Sequence, residues 1–318
     1  SSNPHSEPKT THSTSRRPKN NKISRRQFIR QSAGLAGAAL LSPWALHAAE
    51  TAQKRTAVDR VTLGKTGLKL SRLGMGTGSN SGQVQRDLGR EGFNRLVRYA
   101  YDRGITYLDT AQDYQTHEWI RDAIKGLPRE KLFIQSKMPG SPDKPLEVLD
   151  RYRKELNTDY IDSLLIHCAT KNSWHEDQKR LLDAFAEAQE KKIILAKGVS
   201  CHGLPALTRA TQVDWVDVHL VRVNPQAKYI DGPSGNWNEP GDDLSPVLTE
   251  VKAMRAKGRG IIGMKLIGNG DFTKPEDREK SIRFAMQCGL LDAVVIGFAS
   301  PAEIDEAIER MNRALAEV

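Results

Sequence analysis

The strongest constraint on this chain is an alternation repeated eight times: a short apolar run, then an amphipathic stretch. The runs fall at 73–76, 105–108, 132–135, 161–166, 195–199, 216–221, 260–264 and 293–296. Each is too short for a buried helix and suits a strand covered on both faces. Between them apolar residues recur at helical spacing, as in Phe93, Leu96, Val97, Ala100 and Tyr101, and again in Ile304, Ala307, Ile308, Met311 and Leu315. Strand and helix in strict alternation predict an α/β fold with a parallel sheet. Eight such units favour closure into a (β/α)8 TIM barrel, which needs roughly 250 residues. An open doubly wound sheet would carry a Gly-rich turn of the GxGxxG kind directly after its first strand, and none follows the 73–76 run. Before the first unit, two alternating runs flank Gly64-Lys65-Thr66-Gly67, which predicts an N-terminal β-hairpin.

The net charge of +9 invites a nucleic-acid reading, but the charge is not evenly spread. Residues 1–49 hold eight basic residues and the single acid Glu7, leaving only +2 on the other 269 residues. A nearly neutral body has no field to gather phosphate backbones, so no nucleic-acid partner is expected. The basic leader contains Ser24-Arg25-Arg26-Gln27-Phe28, then a weakly apolar run over 33–46 and the small residues Ala48-Ala49. That order is an export signal, and the paired arginines resemble the twin-arginine type. A disordered basic tail or a membrane anchor are the alternatives. The apolar run is shorter than the 20 or so residues a bilayer span needs, so no stable membrane span is expected. The domain expectation is therefore a leader over 1–49 and one barrel over 50–318. The implied partner is the twin-arginine export machinery, with cytoplasmic folding followed by a periplasmic destination. The three cysteines, Cys168, Cys201 and Cys288, show no CxxC spacing and read as buried small side chains.

Barrel chemistry sits where strands end. Asp109 follows the second run, Lys137 the third, His167 the fourth and Ser200 the fifth, each about one βα unit after the last. Tyr114 lies five residues after Asp109. A phenol has a pKa near 10 and is a weak acid at neutral pH, but a nearby ammonium favours phenolate and eases proton donation. A carboxylate beside the lysine keeps it charged, and a histidine can orient a substrate oxygen. The set would protonate a carbonyl oxygen while a hydride, which no side chain can supply, arrives from a cofactor.

The segments LGKTGLKLSRLGMGTG (63–78), ITYLDTAQDY (105–114), LFIQSK (132–137), TDYIDSLLIH (158–167) and KGVS (197–200) resemble the aldo-keto reductases. The runs MKLIGNG and VVIGFASPAEIDEA look most like a bacterial branch whose members often carry a leader. The resemblance spans about 61–315. It implies a TIM barrel, an Asp109/Tyr114/Lys137/His167 tetrad, an aldehyde, ketone or alcohol substrate, and NADP or NAD as cofactor. It places cofactor contacts at Gly76, Thr77, Ser200, Cys201, Met264, Lys265, Gly297, Phe298 and Glu306. Some positions depart from the family pattern. Cys201 stands for an Asn and Leu220 for a Gln of the carboxamide clamp, Met264 replaces a stacking ring, and Gln115-Thr116-His117-Glu118 replaces a shorter sequence after the tyrosine. In the 2′-phosphate region basic residues are missing at Gly297, Phe298 and Glu303, where Lys265 could substitute.

Other readings stand beside these. Asp109 could cap a helix, Ser200 could cap the helix near Leu204, and Arg222 could bind an acidic substrate or pair with a carboxylate. His117, Glu118, His167, His202 and His219 could serve a metal-dependent barrel. A non-catalytic nucleotide-binding barrel is a third class. Loops 79–91, 168–176 and 224–243 are expected to line the pocket.

Overall fold

The computed structural model describes residues 54–236, 239 and 241–318. The leader expected over 1–49 lies outside them. Among the described residues there are ten strands. A hairpin pairs β1 (Arg60–Thr62) with β2 (Lys69–Ser71), antiparallel, with Val61 opposite Leu70. Eight parallel strands then close a barrel: β3 (Leu73–Gly76), β4 (Tyr107–Asp109), β5 (Phe133–Met138), β6 (Ile161–Ala169), β7 (Ile194–Cys201), β8 (Val218–Arg222), β9 (Gly260–Met264) and β10 (Ala293–Gly297). Each pairs with its neighbour in sequence, and β10 returns to β3 with Gly297 opposite Gly76. The helices are α1 (Gln83–Arg86), α2 (Gly89–Asp102), α3 (His117–Ala123), α4 (Pro145–Leu156), α5 (Trp174–Asp177), α6 (Lys179–Glu190), α7 (Leu204–Gln212), α8 (Ser245–Ala256), α9 (Pro275–Gln287) and α10 (Pro301–Leu315).

Residues alternate between two apolar layers along each strand. Leu108, Ile134, Leu164, Val199 and Val221 pack outward against the helices. Tyr107, Phe133, Leu165, Ala196, Val218, Ile262 and Val295 form the barrel's inner core. Because side chains reverse direction at every residue, the inner set fixes which later residues look into the mouth. Two residues beyond Tyr107 comes Asp109, and two beyond Leu165 comes His167. Several strands run further than the apolar runs imply. In β5 the polar residues Ser136 and Lys137 continue the ladder, and β6 runs on through His167 at a break in its register with β7.

The hairpin seals the other end. Leu63 and Leu70 are fully buried within the inner core. Gly260 makes room for Leu63, since a Cβ there would stand 2.5 Å from Leu63 Cγ. The turn is pinned where β9 and β10 begin: Lys65 N–H donates to the Gly258 carbonyl (2.7 Å) and Gly64 N–H to Asp292 (3.1 Å). Among the described residues no helix is long and apolar enough to cross a membrane.

Candidate active site

Four side chains meet at the open end of the barrel. Lys137, inward on β5 and 1% exposed, donates from Nζ to Asp109 Oδ2 (2.6 Å), to the Thr110 carbonyl (3.0 Å) and to the Tyr114 hydroxyl (3.2 Å). Tyr114 sits in a single 3-10 turn, Gln112–Tyr114, after β4. The His167 ring stands edge-on to the Tyr114 ring, centroids 5.7 Å apart, and its Nδ1 lies 3.6 Å from Asp113 Oδ2. Asp109 is thus engaged with the lysine, not with a helix end.

Beneath these groups lies a polar layer that sequence reasoning overlooked. Gln135 Nε2 donates to Asp109 Oδ1 (2.9 Å) and to the Tyr107 hydroxyl (3.0 Å), Tyr107 donates to Asp109 Oδ1 (3.2 Å), and Ser163 donates to Gln135 Oε1 (2.8 Å). Burial, then the Asp109 charge, pushes the Tyr107 phenol well above its ordinary pKa, so it stays a donor. The signal was available: Tyr107 and Gln135 each precede a tetrad member by two positions on the same strand. The tyrosine's seat also requires glycine. A Cβ on Gly78 would lie 2.3 Å from Tyr114 Cζ, and one on Gly82 2.4 Å from the Tyr114 carbonyl.

The histidines and acid considered for a metal are scattered. His117 faces outward to Ser136 and Glu155, while His219 faces outward to Arg259. Glu118 is paired with Arg90 at the surface. Among the described residues no cluster of three His, Cys, Asp or Glu is placed to hold a metal ion.

Residues 72–287 match the model of the Aldo/keto reductase family, two thirds of the chain. The chain belongs to the aldo/keto reductase family. It is 28% identical over 179 residues to a probable aldo-keto reductase of Glycine max, covering 50% of this chain and 51% of that one. An uncharacterised oxidoreductase of Schizosaccharomyces pombe is 25% identical over 250 residues, covering 65% and 75%. The chain therefore spans about half of the soybean relative and three quarters of the yeast one. A solved putative aldo-keto reductase from Pseudomonas aeruginosa shares the fold, with a TM-score of 0.65 at 22% identity over 82% of this chain and 97% of that one. The holo form of an aldo-keto reductase from Bacillus halodurans also has a TM-score of 0.65, at 13% identity, over 82% and 96%.

In this aldo/keto reductase the remaining predicted residues divide into several groups. Ser200, inward on β7, is 1% exposed, and its hydroxyl has no hydrogen-bond partner among the described residues. It caps no helix, because the N-cap of α7 is Gly203. A buried hydroxyl without a partner costs free energy that a ligand amide can recover, so this atom fits a nicotinamide carboxamide. His202, two residues on, also leaves Nδ1 without a partner. Burial first, then the charges of Arg222, Lys265, His167 and Lys137, lower its pKa well below normal, so its ring is neutral. Cys201 lies between them on the outward side, in the layer under the helices, and burial pushes its thiol up. The structure does not bring that thiol to the mouth with Ser200.

At the rim, Gly76 and Gly297 end adjacent strands. Thr77 has its hydroxyl taken up by the Asp109 carbonyl (2.9 Å) and Thr116 (2.8 Å). Met264 ends β9, and Lys265, left-handed at φ 65°, donates to Asn269 (3.0 Å). The Phe298 ring is buried in the outer layer, and its carbonyl accepts from Gln85 (3.1 Å). Arg222 pairs with Asp231 at 2.6 Å, both buried, which ties the 224–243 loop to the mouth. Glu303 closes α10: Ser300 Oγ accepts from its N–H (3.3 Å), and its carboxylate accepts from Ala299 N–H (2.7 Å). Cations gather instead around Glu306, from Arg278 on α9 and Arg310 on α10. Arg278 reaches Glu306 at 2.9 Å and Arg310 joins it at 2.9 Å, and against the pull of burial they hold that carboxyl below its usual range.

Proposed function

We propose that this aldo/keto reductase interconverts an aldehyde or ketone with its alcohol, using a nicotinamide cofactor. The carrying observation is the Lys137 ammonium, which donates at once to Asp109 and to the Tyr114 hydroxyl in the barrel mouth. Tyr114 is the proton donor to the carbonyl oxygen. Lys137 stabilises the phenolate left behind, and Asp109 keeps the lysine charged. His167, edge-on to the phenol, orients the substrate oxygen. Bound nicotinamide supplies the hydride. Ser200 would hold its carboxamide from the end of β7, with Gly76, Met264 and Gly297 ending strands around the same rim. Glu306, which the family resemblance sets near the adenine, is held in place by Arg278 and Arg310.

The leader belongs to the same reading. Ser24 to Phe28 and the weakly apolar run behind them support twin-arginine export of a folded domain. Cofactor insertion in the cytoplasm then precedes transfer to the periplasm. Titration of the purified full chain with NADH and NADPH, followed by absorbance and fluorescence, tests the cofactor assignment. Native mass spectrometry of freshly isolated protein reports any nucleotide it carries. Micromolar binding of either nucleotide is expected, and failure to bind both would remove the reductase reading.

A further inference from the structure

The sequence after the catalytic tyrosine departs from the family pattern, and the structure puts that departure to use. His117 opens α3, three residues after Tyr114. Its Nδ1 lies 2.7 Å from Glu155 Oε2 on α4, and its Nε2 lies 2.7 Å from Ser136 Oγ on β5. The hydrogen bond from His117 is the main cause holding the Glu155 carboxyl below its usual pKa, against the pull of burial. Both ring nitrogens are thus engaged, one by the carboxylate and the other by the Ser136 hydroxyl. His117 and Ser136 are both buried, and the imidazole packs on the Tyr152 ring at 4.9 Å.

The ends of this relay matter. Ser136 immediately precedes Lys137 and faces outward where Lys137 faces in. Upstream of Tyr114, Gln112 is gripped by the same helix: its Oε1 accepts from the Tyr152 hydroxyl (2.6 Å) and from Arg151 (2.8 Å). One face of α4, through residues 151, 152 and 155, therefore holds both ends of the 112–117 segment. The last link runs through the barrel wall to the residue next to the lysine. A hydrogen bond at 3.2 Å between Tyr114 and Lys137 does not survive a displacement of about 1 Å.

We infer that His117, with Ser136 and Glu155, is a positioning relay that sets the Tyr114 hydroxyl against Lys137. The inference rests on the reductase reading for its kinetic consequence, though not for its geometric one. Neither Ser136 nor His117 is open to substrate, so the resemblance to a hydrolytic triad carries no nucleophilic role.

The test uses the full chain with three changes: His117→Phe, Ser136→Ala and Glu155→Ala. The relay predicts that kcat per cofactor-binding site falls about tenfold. KM and nucleotide Kd should stay within about twofold, since no ligand contact is removed. Glu155→Gln keeps an acceptor for Nδ1 and should recover most of the rate that Glu155→Ala loses. A core change remote from the mouth, Phe185→Leu, controls for lost stability, and its kcat per binding site should not move. Independently of turnover, [13Cζ]tyrosine labelling gives seven resonances, with that of Tyr114 identified by its loss in Tyr114→Phe. His117→Phe should shift or broaden the Tyr114 signal, together with that of Tyr152, which touches the imidazole. A wild-type kcat with the Tyr114 signal unmoved overturns the relay. If the unmodified chain reduces no carbonyl, the reductase reading has failed, and the Tyr114 resonance alone decides the relay.

Discussion

Asp109 Oδ2 stands 2.6 Å from Lys137 Nζ, and the side chains are 6% and 1% exposed. Two charges so far from water are tolerable only as a pair whose other hydrogen bonds are also met. They are met here: Gln135 and Tyr107 complete the carboxylate, while Thr110 and Tyr114 complete the ammonium. Asp109→Asn keeps the shape and removes the counter-charge. It should cost about 3–5 kcal/mol of stability if the lysine stays charged, or else drive the lysine to shed its proton. In either case kcat should drop by a factor on the order of 100. A denaturation midpoint and a turnover number both at wild-type values would contradict the role given to this pair.

Tyr114→Phe deletes only the hydroxyl that meets Lys137. Loss of a general acid is worth about 10²–10⁴ in rate. The variant should bind NADH or NADPH as the parent does while its carbonyl reduction nearly vanishes. Retained turnover would mean that the proton comes from elsewhere.

Gly78 supports the same ring from behind. In Gly78→Ala the new methyl would meet Tyr114 Cζ at 2.3 Å, a contact that only movement of the phenol can relieve. A misplacement of that order costs about 100-fold in kcat. Thermal unfolding should change far less than the rate, because the collision involves a single side chain. If crystallography of the variant finds Tyr114 unmoved, the glycine has another purpose.

His219 predicts how the fold responds to acid. Burial, then the positive charges of Arg259 and Lys257, lower its pKa from 6.5 to about 3, and Arg259 Nη1 lies 3.2 Å from Nε2. The unfolded chain takes up this proton first as pH falls, so the stabilisation is complete above 6.5. It is lost between 6.5 and about 3, at up to about 1.4 kcal/mol per pH unit. His202, also lowered by burial, acts with the same sign. Urea unfolding at pH 7 and pH 5 should show His219→Leu losing about 2 kcal/mol less than the parent over that interval. Equal losses in the two proteins would exclude His219 as a source of acid sensitivity.

Much of the barrel was legible because periodicity reports which layers are dry. The eight apolar runs locate all eight strands, and the polar residues at their ends are those the structure gathers at the mouth: Asp109, Lys137, His167 and Ser200. Less legible were residues whose role depends on which way a side chain turns. Cys201 shares a strand end with Ser200 but faces the helices, so proximity in sequence was misleading there. Arg222 admitted two readings until the 224–243 loop supplied Asp231, a partner nine residues away that no period encodes. Arg278 was missed near Glu306 because contacts between α9 and α10 depend on how two helices pack. His117 looked like a stray ligand. Only the assembled wall between α3, α4 and β5 gives it its two partners.

The hairpin tucked beneath the barrel closes one end of it among the described residues. With Leu63 and Leu70 stopping the floor, water and solutes come to Tyr114 from the strand ends opposite, so a change at the hairpin would be felt as leakage into the core and not as a change at the mouth.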